Sequence, residues 1–269
     1  MQKPYTIILA PNPSIMTGPG TNTIVLGGGE EGALVIDPAL VDNVYLDAII
    51  QVGEERGGIR RILVTHGHPD HVGGAEALRK RLGVSIYAFS RKGVPIVDEE
   101  IADGATFPAG EDTLLALHTP GHRFDHLSFL MQKRRTLFAG DLISGITTNV
   151  IAPPDGDMLD YLNSLERLQE IDISEIVPAH GPTIPDAQAK ISEYIQHRML
   201  REQQVIQTLE VLTPGVTIAE MVPRIYIDVD PKLHPIAAWS VEAHLIKLER
   251  EGLVEKLEDD RWTLVRPTA

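Results

Sequence analysis

The stretch Ile62-Leu63-Val64-Thr65-His66-Gly67-His68-Pro69-Asp70-His71 decides how this chain is read. It opens on a short continuous apolar run of the kind that forms a buried strand. Four side chains with nitrogen or oxygen donors, His66, His68, Asp70 and His71, then follow within six residues. A helix-like segment from about Gly74 to Leu82 comes next, ending in basic residues and Gly83. Loops at the C-terminal ends of strands are where α/β layers commonly carry ligands. Imidazole and carboxylate are the groups zinc takes when thiolate is absent. Packed into one turn, four such groups repel if charged and lack partners if buried, and a cation resolves both problems. The plain alternative is a polar surface turn that happens to be rich in histidine. With only 10 histidines in 269 residues, three within six positions argue against it. An ordered multi-ligand spacing is also far more specific than a lone glycine pattern.

Working outward, three more candidates each end a strand-like run. Thr119-Pro120-Gly121-His122 follows Leu114 to Leu117, Phe138-Ala139-Gly140-Asp141 follows Thr136-Leu137, and Pro178-Ala179-His180-Gly181 follows Ile176-Val177. Singly, a histidine beside a Pro-Gly turn is an ordinary loop residue and an aspartate after glycine an ordinary cap. Together they offer three ligands from three loops, which places a metal site on one edge of a layered fold. The chain has no cysteine, so disulfides, thiolate ligands and a cysteine nucleophile are excluded. Any metal must sit on nitrogen and oxygen, which suits zinc, manganese or iron.

The surrounding pattern is α/β. Thr21 to Leu26 and Ala33 to Ile36 read as neighbouring strands joined by a glycine-rich turn, Val44 to Arg56 as a helix closed by Gly57-Gly58, and Ser85 to Phe89 as a strand. Thr113 to Asp141 reads as three strands. From near Pro185 the texture changes. Ile191, Ile195, Met199, Ile206 and Leu209 recur at helical spacing up to Thr213-Pro214-Gly215. Ile218 to Ile225 and Ile236 to Glu251 then read as helices, and Leu253 to Leu257 with Trp262 to Val265 as a hairpin, the order of a winged helix. The expected units are a catalytic domain over residues 1–186, a long connecting helix over 187–212 and a winged-helix-like domain over 213–269.

The ordered set His-x-His-x-Asp-His, then Gly-His, Gly-Asp and a last Gly-flanked His, resembles the metallo-β-lactamase superfamily from about Thr21 to Gly181. The resemblance implies a four-layer αββα sandwich. It implies that His66, His68 and His122 hold one metal and Asp70, His71 and His180 a second, with Asp141 bridging. Asp70 and Asp141 take the catalytic roles, as the carboxylates that hold the geometry. Asp37, in Val35-Ile36-Asp37-Pro38, corresponds to the aspartate that orients the histidine loop from outside the ligand set. The other reading of Asp37 is a simple turn residue before proline. Two zinc ions are implied, with manganese or iron as alternative occupants. Histidine rather than glutamate at position 68 favours the hydrolytic zinc subgroups over redox di-iron ones.

A closer similarity, to the β-lactamase-like protein 2 group of endoribonucleases, is carried by Gly20-Thr21-Asn22-Thr23, Tyr161-Leu162-Asn163-Ser164-Leu165, Pro178 to Pro182 and Tyr194-Ile195-Gln196-His197-Arg198, and by the winged-helix-like end. It departs at Arg123-Phe124, where that group tends to carry a small or acidic pair. Asp125 and His126 match an Asp-His pair of the group. They read as supporting or pocket residues, or, for His126, as a hydrogen-bonded core histidine. His118, His197, His234 and His244 read as structural.

Two such metals lower the pKa of a shared water toward neutrality, and the resulting hydroxide attacks a carbonyl carbon or a phosphorus atom. Single-stranded RNA is the first expected substrate by resemblance. The alternative is an acyl thioester, because glyoxalase II and some acyl-carrier-protein thioesterases are similar too. The absence of a secretory signal makes a β-lactam the weaker reading and a cytoplasmic location the expectation. A net charge of −14 leans away from nucleic acid. From Thr213 onward, seven lysines and arginines face ten acidic residues, so duplex DNA is not an expected partner. No apolar run approaches the length of a membrane span, so no membrane partner is expected. The oligomeric state is left open.

Overall fold

The computed structural model describes residues 4–265. Residues 1–3 of the expected catalytic domain and residues 266–269 of the expected winged-helix-like domain lie outside the described residues. The first sheet contains β1 (Tyr5–Leu9), β2 (Asn22–Gly27), β3 (Ala33–Ile36), β4 (Ile59–Leu63), β5 (Ser85–Ala88) and β6 (Glu99–Glu100), adjacent in that order. The second runs β11-β10-β9-β8-β7, built from β7 (Thr106–Ala109), β8 (Asp112–His118), β9 (Leu127–Met131), β10 (Thr136–Gly140) and β11 (Glu175–Pro178). Pairing is parallel from β3 to β6 and between β10 and β11, and antiparallel elsewhere in both sheets.

Side-chain alternation makes the layers. Successive strand residues face opposite ways, so Ile24, Leu26, Leu34 and Ile36 point to one face and Val25 and Val35 to the other. The first set packs with Leu127, Phe129, Met131 and Phe138 of the second sheet into a core between the sheets. The second set is covered by α1 (Asn43–Glu54) and α3 (Ala75–Leu82), through Leu46, Ile49 and Leu78. The outer face of the second sheet, including Leu130, Leu137 and Ile176, is covered by α4 (Met158–Gln169) and α5 (Ala187–Val211), through Tyr161, Leu165, Leu168, Ile191 and Tyr194. The four-layer αββα order expected from the sequence is therefore present.

The C-terminal part adds α6 (Ile218–Ile225), α7 (His234–Arg250) and a two-stranded wing of β12 (Val254–Lys256) and β13 (Trp262–Leu264). Its core joins Met221, Val222, Leu245, Leu248 and Trp262 to Val205 and Leu209 of α5. The last turns of the long helix thus belong to both halves of the molecule. Among the described residues no helix is long and apolar enough to cross a membrane.

Candidate metal centre

Four loops leave the same edge of the sandwich. The turn after β4 carries His66 and His68 and leads into α2 (Pro69–Val72), a single helical turn that holds Asp70 and His71. The β8–β9 loop carries His122, Asp141 follows β10 directly, and His180 follows β11. All seven sequence-predicted residues meet there. His66, His68, His122 and Asp141 form one set of donors, and Asp70, His71 and His180 a second. In the first, His68 Nδ1 lies 2.9 Å from His66 Nε2 and 3.1 Å from His122 Nε2. Ligands about 2.0–2.1 Å from a tetrahedral ion stand about 3.3 Å apart, so these nitrogens converge as ligands do. Asp141 faces both sets: Oδ2 is 3.5 Å from His122 Nε2 and 3.5 Å from His71 Nε2, and Oδ1 is 3.2 Å from His180 Nε2. His180 Nε2 is also 3.4 Å from Asp70.

The donor set fits a pair of cations in a further respect. A ligating imidazole usually donates its other N–H to a fixed acceptor, which sets the tautomer and aims the free nitrogen. Here His71 Nδ1 is 2.7 Å from Asp37, His122 Nδ1 is 2.9 Å from the Val150 carbonyl and His66 Nδ1 is 3.1 Å from the Thr65 hydroxyl. His180 Nδ1 points at the Gly20 carbonyl at 3.4 Å. Inside the cluster, His71 Nε2 and Asp141 Oδ1 are buried and close no hydrogen bond. Buried polar atoms without partners are uncommon in folded proteins, and two of them facing one another's donor sets are accounted for by an ion.

Burial is the largest influence on His66, His68 and His122, and neighbouring imidazoles add to it. All three are held low, His68 at about 4. Burial opposes charge on His71 and His180 as well, but carboxylates outweigh it. Asp141 and Asp37 keep His71 well above the usual range, and Asp141 with Asp70 raises His180 to about 9. Asp141 lies well below the carboxylate range despite its burial, because His71 and His180 surround it. Burial thus favours neutral imidazole at His66, His68 and His122, while carboxylates favour positive charge at His71 and His180. A divalent cation held there would supply that positive charge in place of protons.

Asp37 is no plain turn residue. It adopts a left-handed backbone (φ 53°), which aspartate tolerates better than most residues. Its Oδ1 accepts from the Thr65 N–H at 2.8 Å, and its Oδ2 from the Thr65 hydroxyl at 2.7 Å as well as from His71. Asp37→Ala removes the acceptor from three buried donors, each costing about 1–3 kcal/mol when left unsatisfied. We expect a lower melting temperature and metal affinity reduced about 10- to 100-fold, the usual cost of losing such a partner. Chelator competition together with thermal unfolding checks it. Unchanged affinity would leave Asp37 a fold residue only.

Thr65 and the Gly20 and Val150 carbonyls were not singled out from the sequence. Thr65 sits beside the motif, but nothing local marks two backbone carbonyls as partners for distant imidazoles. Of the histidines read as structural, His118 stacks on Phe89 with ring centres 3.7 Å apart, and His244 is buried against Glu202.

Residues 16–180, well over half of the chain, match the metallo-β-lactamase superfamily. The chain belongs to that superfamily. Its members bind divalent metals and are metal-dependent hydrolases, and this chain is one of them. Residues 217–262 match the β-lactamase-associated winged helix domain. The β-lactamase-like protein 2 homolog of Drosophila melanogaster is 35% identical over 283 residues, covering 97% of this chain and 94% of that one. The atrochrysone carboxyl ACP thioesterase of Aspergillus chevalieri is 36% identical over 203 residues, covering 75% of this chain and 64% of that one. A metallo-β-lactamase family protein from Thermus thermophilus superposes with a TM-score of 0.80 at 20% identity, covering 98% of this chain and 99% of that one, which speaks to the fold.

Proposed function

We propose that this chain is a dinuclear zinc hydrolase of phosphodiesters, with single-stranded RNA as substrate. His66, His68 and His122 hold one ion, Asp70, His71 and His180 the other, and Asp141 lies between them. When bound, the two ions supply an acidified water as nucleophile and an electrophile for the oxygen that gains charge. The chain's own contribution is placement. Asp141 spaces the two sets, Asp70 fixes His180, and Asp37 with Thr65 aims His71 and His66.

The observation that carries the substrate class is the rim beside the first set. Arg123 follows His122 in the chain, and its guanidinium lies against the His66-Gly67-His68 turn, so close that a Cβ on Gly67 would meet Nη2 at 3.3 Å. Phe124 presents an aromatic face with Lys92 Nζ 4.6 Å and Arg123 Cζ 5.3 Å from its centroid. Among the described residues Lys92 has no acidic partner. Arg123 is paired with Asp125 at 2.6 Å and with Asp155 at 3.4 Å, and both cations lie over the Phe124 ring, so Lys92 is the cation this rim keeps for a substrate. On a chain of net charge −14, a cation kept at this edge supports an anionic substrate. Duplex DNA and membranes are not partners in this reading.

The second reading is a thioesterase. It is favoured by the Aspergillus chevalieri relative, whose name states that activity, and by the carbonyl chemistry open to the same two ions. A hydrolysis panel on the zinc-saturated protein separates the two, using a single-stranded RNA oligonucleotide, a bis-aryl phosphodiester, acyl thioesters and a chromogenic lactam. The expected result is turnover of the two phosphodiesters, with about two zinc ions per chain by elemental analysis. Preference for the thioesters would overturn the phosphodiester reading, and fewer than one ion after titration would overturn the metal centre.

A further inference from the structure

Two residues in the His122 loop, Asp125 and His126, are buried at 1% and 0% exposure and stand outside both donor sets. Each reaches away from its own loop. Asp125 Oδ2 accepts from the Gly67 N–H at 3.0 Å, the peptide between His66 and His68. Its Oδ1 takes Arg123 Nε at 2.6 Å. His126 Nε2 accepts from the Asp141 backbone N–H at 3.0 Å.

The direction of the last bond is fixed, because a backbone N–H only donates. The His126 ring is therefore protonated on Nδ1, which donates to Thr119 Oγ1 at 2.9 Å. The Thr119 hydroxyl then donates to Ser128 Oγ at 3.0 Å, and Ser128 to the Ala139 carbonyl at 3.3 Å. The chain of bonds starts and ends on the backbone of the β10 end that delivers Asp141, and every member is satisfied. Three glycines make the approach geometrically available. A Cβ on Gly140 would meet His126 Nε2 at 2.6 Å, one on Gly93 would meet Asp125 Oδ2 at 1.9 Å, and one on Gly67 would meet the Gly93 carbonyl at 2.1 Å.

We propose that Asp125 and His126 are positioning residues, a two-residue clamp by which the His122 loop holds the His66-to-His71 turn with one member and Asp141 with the other. The three loops come from different strands in two sheets. Core residues such as Leu142, Ile143 and Val72 flank them, and the bonds of Asp125 and His126 cross directly from the His122 loop to the peptides beside His66, His68 and Asp141. This rests on the proposed metal centre, and it adds a group that neither touches an ion nor enters the reaction.

The test compares the full-length wild type with Asp125→Ala, His126→Phe and Thr119→Val. Thr119→Val keeps its volume and removes the hydroxyl that accepts from His126 Nδ1 and donates to Ser128. It serves where the two larger changes prevent folding. Zinc affinity is read by chelator competition, and ligand geometry by the visible absorption of the cobalt-saturated proteins. We expect affinity about 10- to 100-fold weaker for Asp125→Ala and His126→Phe. Their cobalt bands should be altered in position or intensity even at saturation, and Thr119→Val should move in the same direction by less. Wild-type affinity and wild-type bands in all folded variants would overturn the clamp, whatever their melting temperatures. A wild type that takes up neither zinc nor cobalt would instead overturn the metal centre itself, so the two failures are distinguishable.

Discussion

Asp141→Asn is expected to abolish turnover while leaving the fold largely intact, and His68→Ala is expected to do the same. In the native site the two carboxylate oxygens of Asp141 face His122 and His71 at 3.5 Å on one side and His180 at 3.2 Å on the other. Asparagine keeps one neutral oxygen and turns an NH2 donor toward nitrogens whose lone pairs must stay free for metal. The pair of ions then loses a full negative charge and its spacer together. His68→Ala removes the nitrogen that stands central to the first set, 2.9 Å from His66 and 3.1 Å from His122. Loss of either forfeits several kcal/mol of transition-state stabilisation, and about 4 kcal/mol corresponds to roughly a thousandfold in rate. The fold survives because its three catalytic-domain cores are aliphatic and aromatic and contain none of the seven donors. Metal content, circular dichroism and rate should be measured on the same preparations. A variant that retains more than about a tenth of the wild-type rate contradicts the assignment, since a tenth corresponds to only about 1.4 kcal/mol.

The donor residues were legible in the sequence because each follows an apolar run that could only be a strand, and because imidazole and carboxylate at one strand edge have few other uses. The same strand pattern pointed to an α/β layered fold, and the resemblance to the superfamily supplied the four-layer sandwich. Among the elements the sequence did not announce, besides the short α2 and β6, two have a clear physical reason. β7 contains Pro108 and lies at the sheet edge, where proline is tolerated but strand patterning is weak. α4 follows a proline-bearing loop, and its start is marked only by Asp157, whose carboxylate accepts from the Leu159 and Asp160 N–H groups. The spacing of Met158, Tyr161, Leu165 and Leu168, all buried, was the signal available for it. Asp125 and His126 were legible as a pair of interest, but their function depends on Gly67 and Asp141. No spacing argument reaches across 58 residues to the peptide that Asp125 accepts from.

Truncation after Leu212 is expected to cost the protein its stability and, through it, its activity. Val205 and Leu209 of α5 are 1% and 2% exposed only because Met221, Val222, Leu245, Leu248 and Trp262 cover them. Re-exposing two such side chains costs about 1.5–3 kcal/mol each, so about 3–6 kcal/mol is lost against a total that is typically 5–15 kcal/mol. Further contacts go with them. Lys247 Nζ is 2.9 Å from Glu202, Arg250 pairs with Asp157 at the start of α4, and Ala243 packs into the core beneath the second sheet. Pro153, Pro154 and Met158 line a cavity with Ala243, Ile246 and Arg250, so α7 stands behind the segment that leads from the His122 side of the centre into α4. The damage also reaches inward along α5. Arg198 bonds the Asn149 carbonyl, and Asn149 in turn bonds the Asp141 carbonyl. A loosened helix therefore frees the loop that braces the ligand. The cations of α7 point the same way. With Lys247 held by Glu202 and Glu251, and Arg250 by Asp157, the helix has no basic face left for a phosphate backbone. We expect the truncated chain to aggregate or to melt about 10 °C or more below the full-length protein, at about 2–4 °C per kcal/mol for a domain of this size. The full-length protein should bind duplex DNA no more tightly than about micromolar at physiological salt, the non-specific range. A soluble truncated enzyme with unchanged melting temperature and rate would show the C-terminal part to be dispensable. Sub-micromolar DNA binding by full-length protein would show it to be a reader of nucleic acid after all.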